Sequence, residues 1–248
     1  RGQGAHGSRS IMLAGPLIAI NSEKIVDKAR RIAAIRLETD EGDIGFADGR
    51  LTVAGTDLSL DLFEAAAIAA DDGSLPSDLR GPLAAESDYT TPQPTYPSGT
   101  HVCEVEVDAE TGSVRIDRFT AIDDVGRAIN PMILCGQSHG GIAQGIGQAL
   151  LEDCHYDTKT GQLLSGSLMD YCLPRADDLT SIEVGFNEAP SPVNVLGVKG
   201  AGESGATGAP PAVINAIIDA LGKIGVTKLD MPATPERVWR AIVNAETR

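Results

Sequence analysis

The chain has 248 residues, 42% hydrophobic and 4% aromatic, with a formal net charge of −15. That length holds one large aliphatic core or two smaller ones, and the acidity excludes nucleic acid and anionic membrane surfaces as partners, since both demand basic patches. No apolar run reaches bilayer-spanning length, and Cys103, Cys135, Cys154 and Cys172 are too irregularly spaced for zinc, so they read as reduced, mostly buried thiols of a cytoplasmic protein.

In chain order, residues 1–15 read as a Gly/Ser loop. Ile18, Ile25, Ala29, Ile32 and Ala33 recur at helical spacing between about Pro16 and Glu38, with Lys24, Asp27, Lys28, Arg30 and Arg31 opposite, and predict an amphipathic helix. Residues 43–46 and 51–53 flank Asp48-Gly49 as a hairpin, and Ser59 is expected to cap a short helix through Ala70. Residues 71–97, with Pro82, Pro92, Pro94 and Pro97, form a long surface connection between two lobes. A second hairpin alternates through Val102–Asp108, turns at Asp108–Gly112 and continues past Val114, Ile116, Phe119 and Ile122. Asn130 as N-cap and Pro131 at the first turn open a helix to about Glu152. Tyr156–Tyr171 reads as a third hairpin around Lys159-Thr160-Gly161, and Ser181–Phe186 as a strand. Pro210-Pro211 open an apolar helix ending near Gly222, and Thr234-Pro235 cap the last one, with Val238, Trp239, Ile242 and Val243 facing inward. Hairpins mixed with helices, rather than regular βαβ units, make the fold class α+β.

Two segments carry chemistry. The run Gly197–Pro211 is dense in glycine around Lys199 and Glu203. Glycine lets a backbone take positive φ and approach a ligand closely, and the following helix directs partial positive charge back at the loop. Glu203 is therefore a candidate acid/base group beside an anionic cofactor; the plainer alternative is a tight connection bearing a solvated glutamate. The second segment is Gly136-Gln137-Ser138-His139-Gly140-Gly141, inside the helix opened by Asn130. Helical glycine costs about 1 kcal/mol against alanine, so adjacent glycines want either a closely packed backbone or a bulky ligand.

These segments resemble the C-terminal active-site region of the molybdenum hydroxylases, the family of xanthine dehydrogenase, aldehyde oxidoreductase and aerobic carbon monoxide dehydrogenase. Lys199-Gly200-Ala201-Gly202-Glu203 matches its KGxGE run, and Pro210–Leu221 its PPAVxNAIxDAL helix. Gln137, Gly140 and Gly141 match its GQxxGG helix, and Gly7-Ser8-Arg9-Ser10 its GSRS loop. Asn130-Pro131 and Pro232–Trp239 extend the resemblance over nearly the whole chain. Gly2-Gln3-Gly4 looks like the family's GQG cofactor loop, but that loop lies tens of residues upstream of GSRS, so Gln3 is read as part of the approach to Ser8.

The resemblance implies an oxidoreductase that hydroxylates an aldehyde, N-heterocycle or similar small molecule with oxygen from water. Glu203 would be the base; Gln137, Gly7, Ser8, Arg9, Ser10, Gly140, Gly141, Lys199, Gly200 and Gly202 would border molybdopterin, in its plain or cytosine dinucleotide form, carrying Mo. No side chain is expected to ligate the metal. [2Fe–2S] clusters and FAD would sit on partner subunits, since neither a ferredoxin-type cysteine pattern nor a Rossmann fingerprint is present here. Opening at Arg1-Gly2 inside a Gly-rich motif, the chain is expected to be a piece of a longer molybdenum subunit. Residues 1–248 would form one cofactor-binding domain, inactive without the upstream half. The other readings are an assembly fragment that binds partner subunits without cofactor, and an unrelated module that holds a nucleotide or phosphate on the Gly-rich loop, against which stands the lack of a GK(S/T) or a GxGxxG after a strand.

Overall fold

The computed structural model describes residues 4–91, 93–179 and 181–247, so Gln3 and Pro92 lie outside the described residues. The chain divides into two compact units, one of Leu13–Thr91, the other built from the residues before and after it.

In the Leu13–Thr91 unit most of helix α1 (Ser10–Arg36) packs Ala29 and Ala33 onto a three-stranded antiparallel sheet. Its strands are β1 (Ile44–Ala47), β2 (Arg50–Val53) and β3 (Ser59–Asp61). Asp48 and Gly49 both take positive φ (48° and 76°), as a two-residue hairpin turn of matching twist requires. Ser59 is a strand residue and not the cap that the sequence suggested. The cap of α2 (Leu62–Asp71) is Asp61, whose carboxylate accepts from Glu64 N–H while Glu64 accepts from Asp61 N–H. Helix α1 starts at Ser10 rather than near Pro16, with the proline inside it, and Ile18 is exposed instead of core-facing. From Asp72 to Pro97 the described residues form neither helix nor strand.

The other unit centres on strands β4 (Ser98–Val107), β5 (Val114–Asp124) and β6 (Ser181–Phe186). β4 and β5 are the expected hairpin; β6 pairs parallel to β5, with helix α3 (Pro131–Leu150) in the connection. Asn130 accepts from Ile133 N–H at 3.2 Å, which is the capping bond the sequence predicted. Helices α3 and α4 (Ser204–Leu221) cover one face of this sheet, and helix α5 (Pro235–Glu246) adds Val238 and Ile242 to a core formed by Ile116, Phe119, Ile142, Ile146, Val213 and Ile217. Small mixed sheets with helices packed on them make the fold α+β.

Four expectations change in this unit. Residues 156–171 form no strand: 156–163 turn back at the isolated bridge Tyr156–Leu163, and 167–171 make a separate turn. Trp239 stays 43% exposed, with its backbone against the β4–β5 turn at Gly112. Helix α4 starts at Ser204, so Pro210 and Pro211 sit inside it instead of at its first turn. Packing decides this point: the Pro210 ring lies against Gly145 of α3, where a Cβ would come within 2.8 Å of it. The thiols are all free, but only Cys103 and Cys135 are partly buried; Cys154 and Cys172 are exposed. Burial pushes the Cys103 thiol up to about 12.

Candidate cofactor site

The site is assembled where β5 ends. Beyond Asp124 the chain runs antiparallel to residues 197–199: Lys199 N–H donates to Val125 O and Arg127 N–H to Gly197 O, both at 2.9 Å. Gly126 (φ 67°) is required there, because a Cβ would lie 2.3 Å from Gly197 O. Asn194 clamps the strip like a neighbouring strand, donating its amide to Val198 O and accepting from Val198 N–H. Lys199 Nζ reaches Asp124 Oδ2 at 2.5 Å, and both side chains are largely buried. Burial pushes the Asp124 carboxyl up, but hydrogen bonds from Lys199, Gly126 N–H and Ala189 N–H outweigh it and hold the group below the usual carboxylate value. Lys199 thus anchors the strip through an ion pair.

The strip then crosses the loop of Gly7 and Ser8. A Cβ on Gly200 would come 2.4 Å from Ser8 O, so only glycine permits the crossing. Ser8 holds φ 53°, a strained value for a residue with a side chain. Its hydroxyl donates to Glu203 Oε2 at 3.2 Å. Glu203 occupies the N-cap position of α4 with φ −111° and ψ 0°, and its carboxylate makes no capping bond. The carboxylate is left uncapped at the positive end of an 18-residue helix.

Ser8 borders two cavities of similar size. One, about 540 Å³, is lined by Glu203, Ser204, His101, Asp123 and Tyr96. The other, about 550 Å³, is lined by Gln137, Gly202, Arg127, Ser10, Ile129 and Ile133. Gly202 is the gap between Gln137 and Ser8: a Cβ there would stand 3.2 Å from both Gln137 Oε1 and Ser8 Oγ.

Of the residues singled out in the sequence, Gly7, Ser8, Gly200 and Glu203 meet at the first cavity. Ser8, Ser10, Gln137, Lys199 and Gly202 border the second. Arg9 donates to Gly4 O at 3.2 Å, while its Nε is buried without a partner. Gly140 is exposed with open space around it, and Gly141 faces the backbone of α4 at Gly205 and Ala206 rather than either cavity. His139 is structural: Nε2 contacts Ile182 O at 3.1 Å and ties α3 to β6. His101, Asp123 and Arg127 join the site without a motif of their own in the sequence. Asp123 left a signal: it continues the inward register of Phe119 and Ala121, a carboxylate where the strand pattern calls for an apolar residue.

The sequence profile of the molybdopterin cofactor-binding domain matches residues 1–180. The chain belongs to that family. This molybdopterin cofactor-binding chain is 40% identical over 241 residues to the carbon monoxide dehydrogenase large chain of Hydrogenophaga pseudoflava, covering 97% of the chain and 30% of that relative. It is 38% identical over 242 residues to the nicotine 6-hydroxylase large subunit of Paenarthrobacter nicotinovorans, again 97% of the chain and 30% of the relative. Its fold superposes on carbon monoxide dehydrogenase from Oligotropha carboxidovorans with a TM-score of 0.92 at 36% identity, over 99% of this chain and 30% of that one. The chain therefore spans about 30% of the length of the relatives it matches. Among the described residues no helix is long and apolar enough to cross a membrane.

The residues present fit a pterin cofactor. Gly200 and Gly202 keep Cβ atoms out of the space between Ser8 and Gln137. The Gln137 amide, which forms no hydrogen bond among the described residues, and the Ser10 hydroxyl both border the cavity beside that space. Arg127 supplies a cation there in an otherwise acidic protein.

Proposed function

We propose that this chain is part of the large subunit of a molybdenum hydroxylase, that it holds one side of molybdopterin, and that Glu203 is the general base for hydroxylation of a small molecule. The observation that carries the reading is the crossing of Gly200–Glu203 over Ser8: it leaves the Glu203 carboxylate in one cavity, oriented by the hydroxyl of Ser8, which also borders the cavity of Gln137. Bound molybdopterin would supply the metal centre that takes up the electrons of the oxidation and polarises the attacking oxygen. Gln137 would donate and accept through its amide to the pterin, and Ser10 and Arg127 would hold polar or anionic groups of the cofactor, whether plain or extended by cytosine dinucleotide. Glu203 would take the proton released as oxygen attacks the substrate carbon, with Ser8 restricting the carboxylate to one orientation. Residues 1–248 act in this reading as one cofactor-binding domain. The rest of the large subunit, an iron–sulfur subunit and a flavin subunit would complete a cytoplasmic enzyme, as expected for relatives named as large chains and subunits. The substrate belongs to the range from carbon monoxide to an N-heterocycle that those relatives' names span.

Two substitutions in the complete enzyme separate the roles. Gln137→Ala is expected to lower molybdopterin content, because a bond to the cofactor is lost. Glu203→Gln is expected to leave molybdenum and pterin content intact while turnover drops about 10²–10⁴-fold. Near-normal turnover of Glu203→Gln at full molybdenum loading would remove Glu203 from the chemistry.

A further inference from the structure

A buried polar chain ends one residue from Glu203. Ser204 Oγ lies 3.0 Å from Asp123 Oδ2 and 3.0 Å from Ala201 O. His101 Nε2 lies 3.1 Å from Asp123 Oδ1, and the His101 and Asp123 side chains are 6% and 2% exposed. The other ring nitrogen, Nδ1, is buried without a partner. Phe119 meets the ring edge-on at 5.7 Å.

The surroundings are shaped around this chain. A Cβ on Gly99 would come 2.1 Å from Asp123 Oδ1, and one on Gly208 would come 2.4 Å from His101 Nδ1. Two glycines, one on β4 and one inside α4, are thus tied to a buried carboxylate and a buried imidazole. Stability does not call for such an arrangement: desolvating a carboxylate costs several kcal/mol, and apolar side chains of similar volume pack as well or better. Farther along the same strands the layer is held by aliphatic contacts, Val105 and Ile116 among them.

We propose that Asp123, braced by His101, is a positioning residue for Glu203, acting through Ser204; the proposal rests on the reading of Glu203 as the base. Ser204 opens α4, and its hydroxyl ties the turn of residues 201–204 to Asp123 on the end of β5 and to Ala201 O. Glu203 lies inside that turn, and its one side-chain bond among the described residues is to the strained Ser8. The Asp123 tether therefore determines where the Glu203 backbone sits, and Ser8 determines how the carboxylate is turned. A general base displaced by about 1 Å loses on the order of 10²-fold in rate.

The test uses the complete enzyme with Ser204→Ala, Ser204→Thr and Asp123→Asn, and three readouts: amide hydrogen exchange across residues 201–207, molybdopterin content, and kcat with KM. The expected result for Ser204→Ala is exchange in 201–207 faster by about tenfold, unchanged cofactor content, kcat down about 10²-fold and KM within about twofold. Ser204→Thr, which keeps the hydroxyl, should restore both exchange and kcat. Unchanged exchange with kcat per bound cofactor within about twofold of wild type overturns the proposal. So does an activity loss that only follows a loss of cofactor, which would mark the chain of residues as structural. Should Asp123→Asn fail to fold, the two Ser204 variants decide the matter alone. Failure of the base reading is seen separately, as retained turnover in Glu203→Gln, and leaves the exchange measurement on the tether intact.

Discussion

At the scale of single residues, the candidate site is held by charges that do no chemistry. Lys199 sits in the motif that carries Glu203, yet its ammonium is committed to Asp124. Removing one partner of a largely buried pair costs about 3–5 kcal/mol, because the other charge is left without compensation. Lys199→Met should therefore destabilise the fold by about 3 kcal/mol, read as a lower denaturant midpoint. The pH dependence follows from the same pair. Asp124 is held below its ordinary value of 3.8 in the folded chain, so its contribution is complete above that value and is lost as pH falls through the lower folded one. The wild-type thermal midpoint should fall more steeply below about pH 4 than that of Asp124→Asn. Equal slopes would show that the pair contributes nothing to acid stability.

At the scale of elements, the contact between α3 and α4 is made backbone to backbone. Gly205 places its α-carbon against Ile142 N and Ser138 O, where a Cβ would stand 2.7 Å from each. Gly141 faces Ala206 N and Gly205 in return. This contact accounts for Gly141 and Gly205, and it brings the start of α4, with Glu203 before it, down onto α3 beside Gln137. Gly205→Ala should cost about 1–3 kcal/mol through overpacking and should lower molybdopterin content in the assembled enzyme. Gly136 meets nothing within 4 Å, so Gly136→Ala should raise stability by about 1 kcal/mol by the helix propensity difference. Thermal midpoints of the two variants check both signs.

At the scale of the molecule, several large apolar side chains lie in solvent. Met169 is 93% exposed, with Leu164, Leu168 and Leu173 also exposed on the same loop, and Met132 is exposed at the start of α3. Exposed apolar groups clustered on one segment mark an interaction surface, and the chain spans about 30% of the relatives it matches. The isolated chain should be without turnover, and Met132 and Met169 should be oxidised rapidly by peroxide. In the complete large subunit both should be protected at least about tenfold, read by mass spectrometry of the peptides. Equal oxidation in the two forms would mean that this surface stays open.

Local chemistry was enough to read much of this protein. The β4–β5 hairpin, the Asn130 and Thr234 caps and the strand Ser181–Phe186 follow from alternation and capping residues that act within a few positions. Glu203 was legible for the same reason, since glycine density and a lone carboxylate are local properties, whereas Gln137 and Ser8 were marked by the resemblance of their motifs to the molybdenum hydroxylases. Other features required contacts between distant segments. Helix α4 could begin before its prolines only because Gly145 makes room for the Pro210 ring. Asp61 displaced Ser59 as a cap because Ser59 was drawn into pairing with Thr52. Lys199 became an anchor because it met Asp124, 75 positions away, and His101, Asp123 and Ser204 became one chain because two strands and a helix end converge there. Periodicity records which face of an element is apolar; it carries no record of which polar groups meet across the core, and in this protein those meetings build the setting of Glu203.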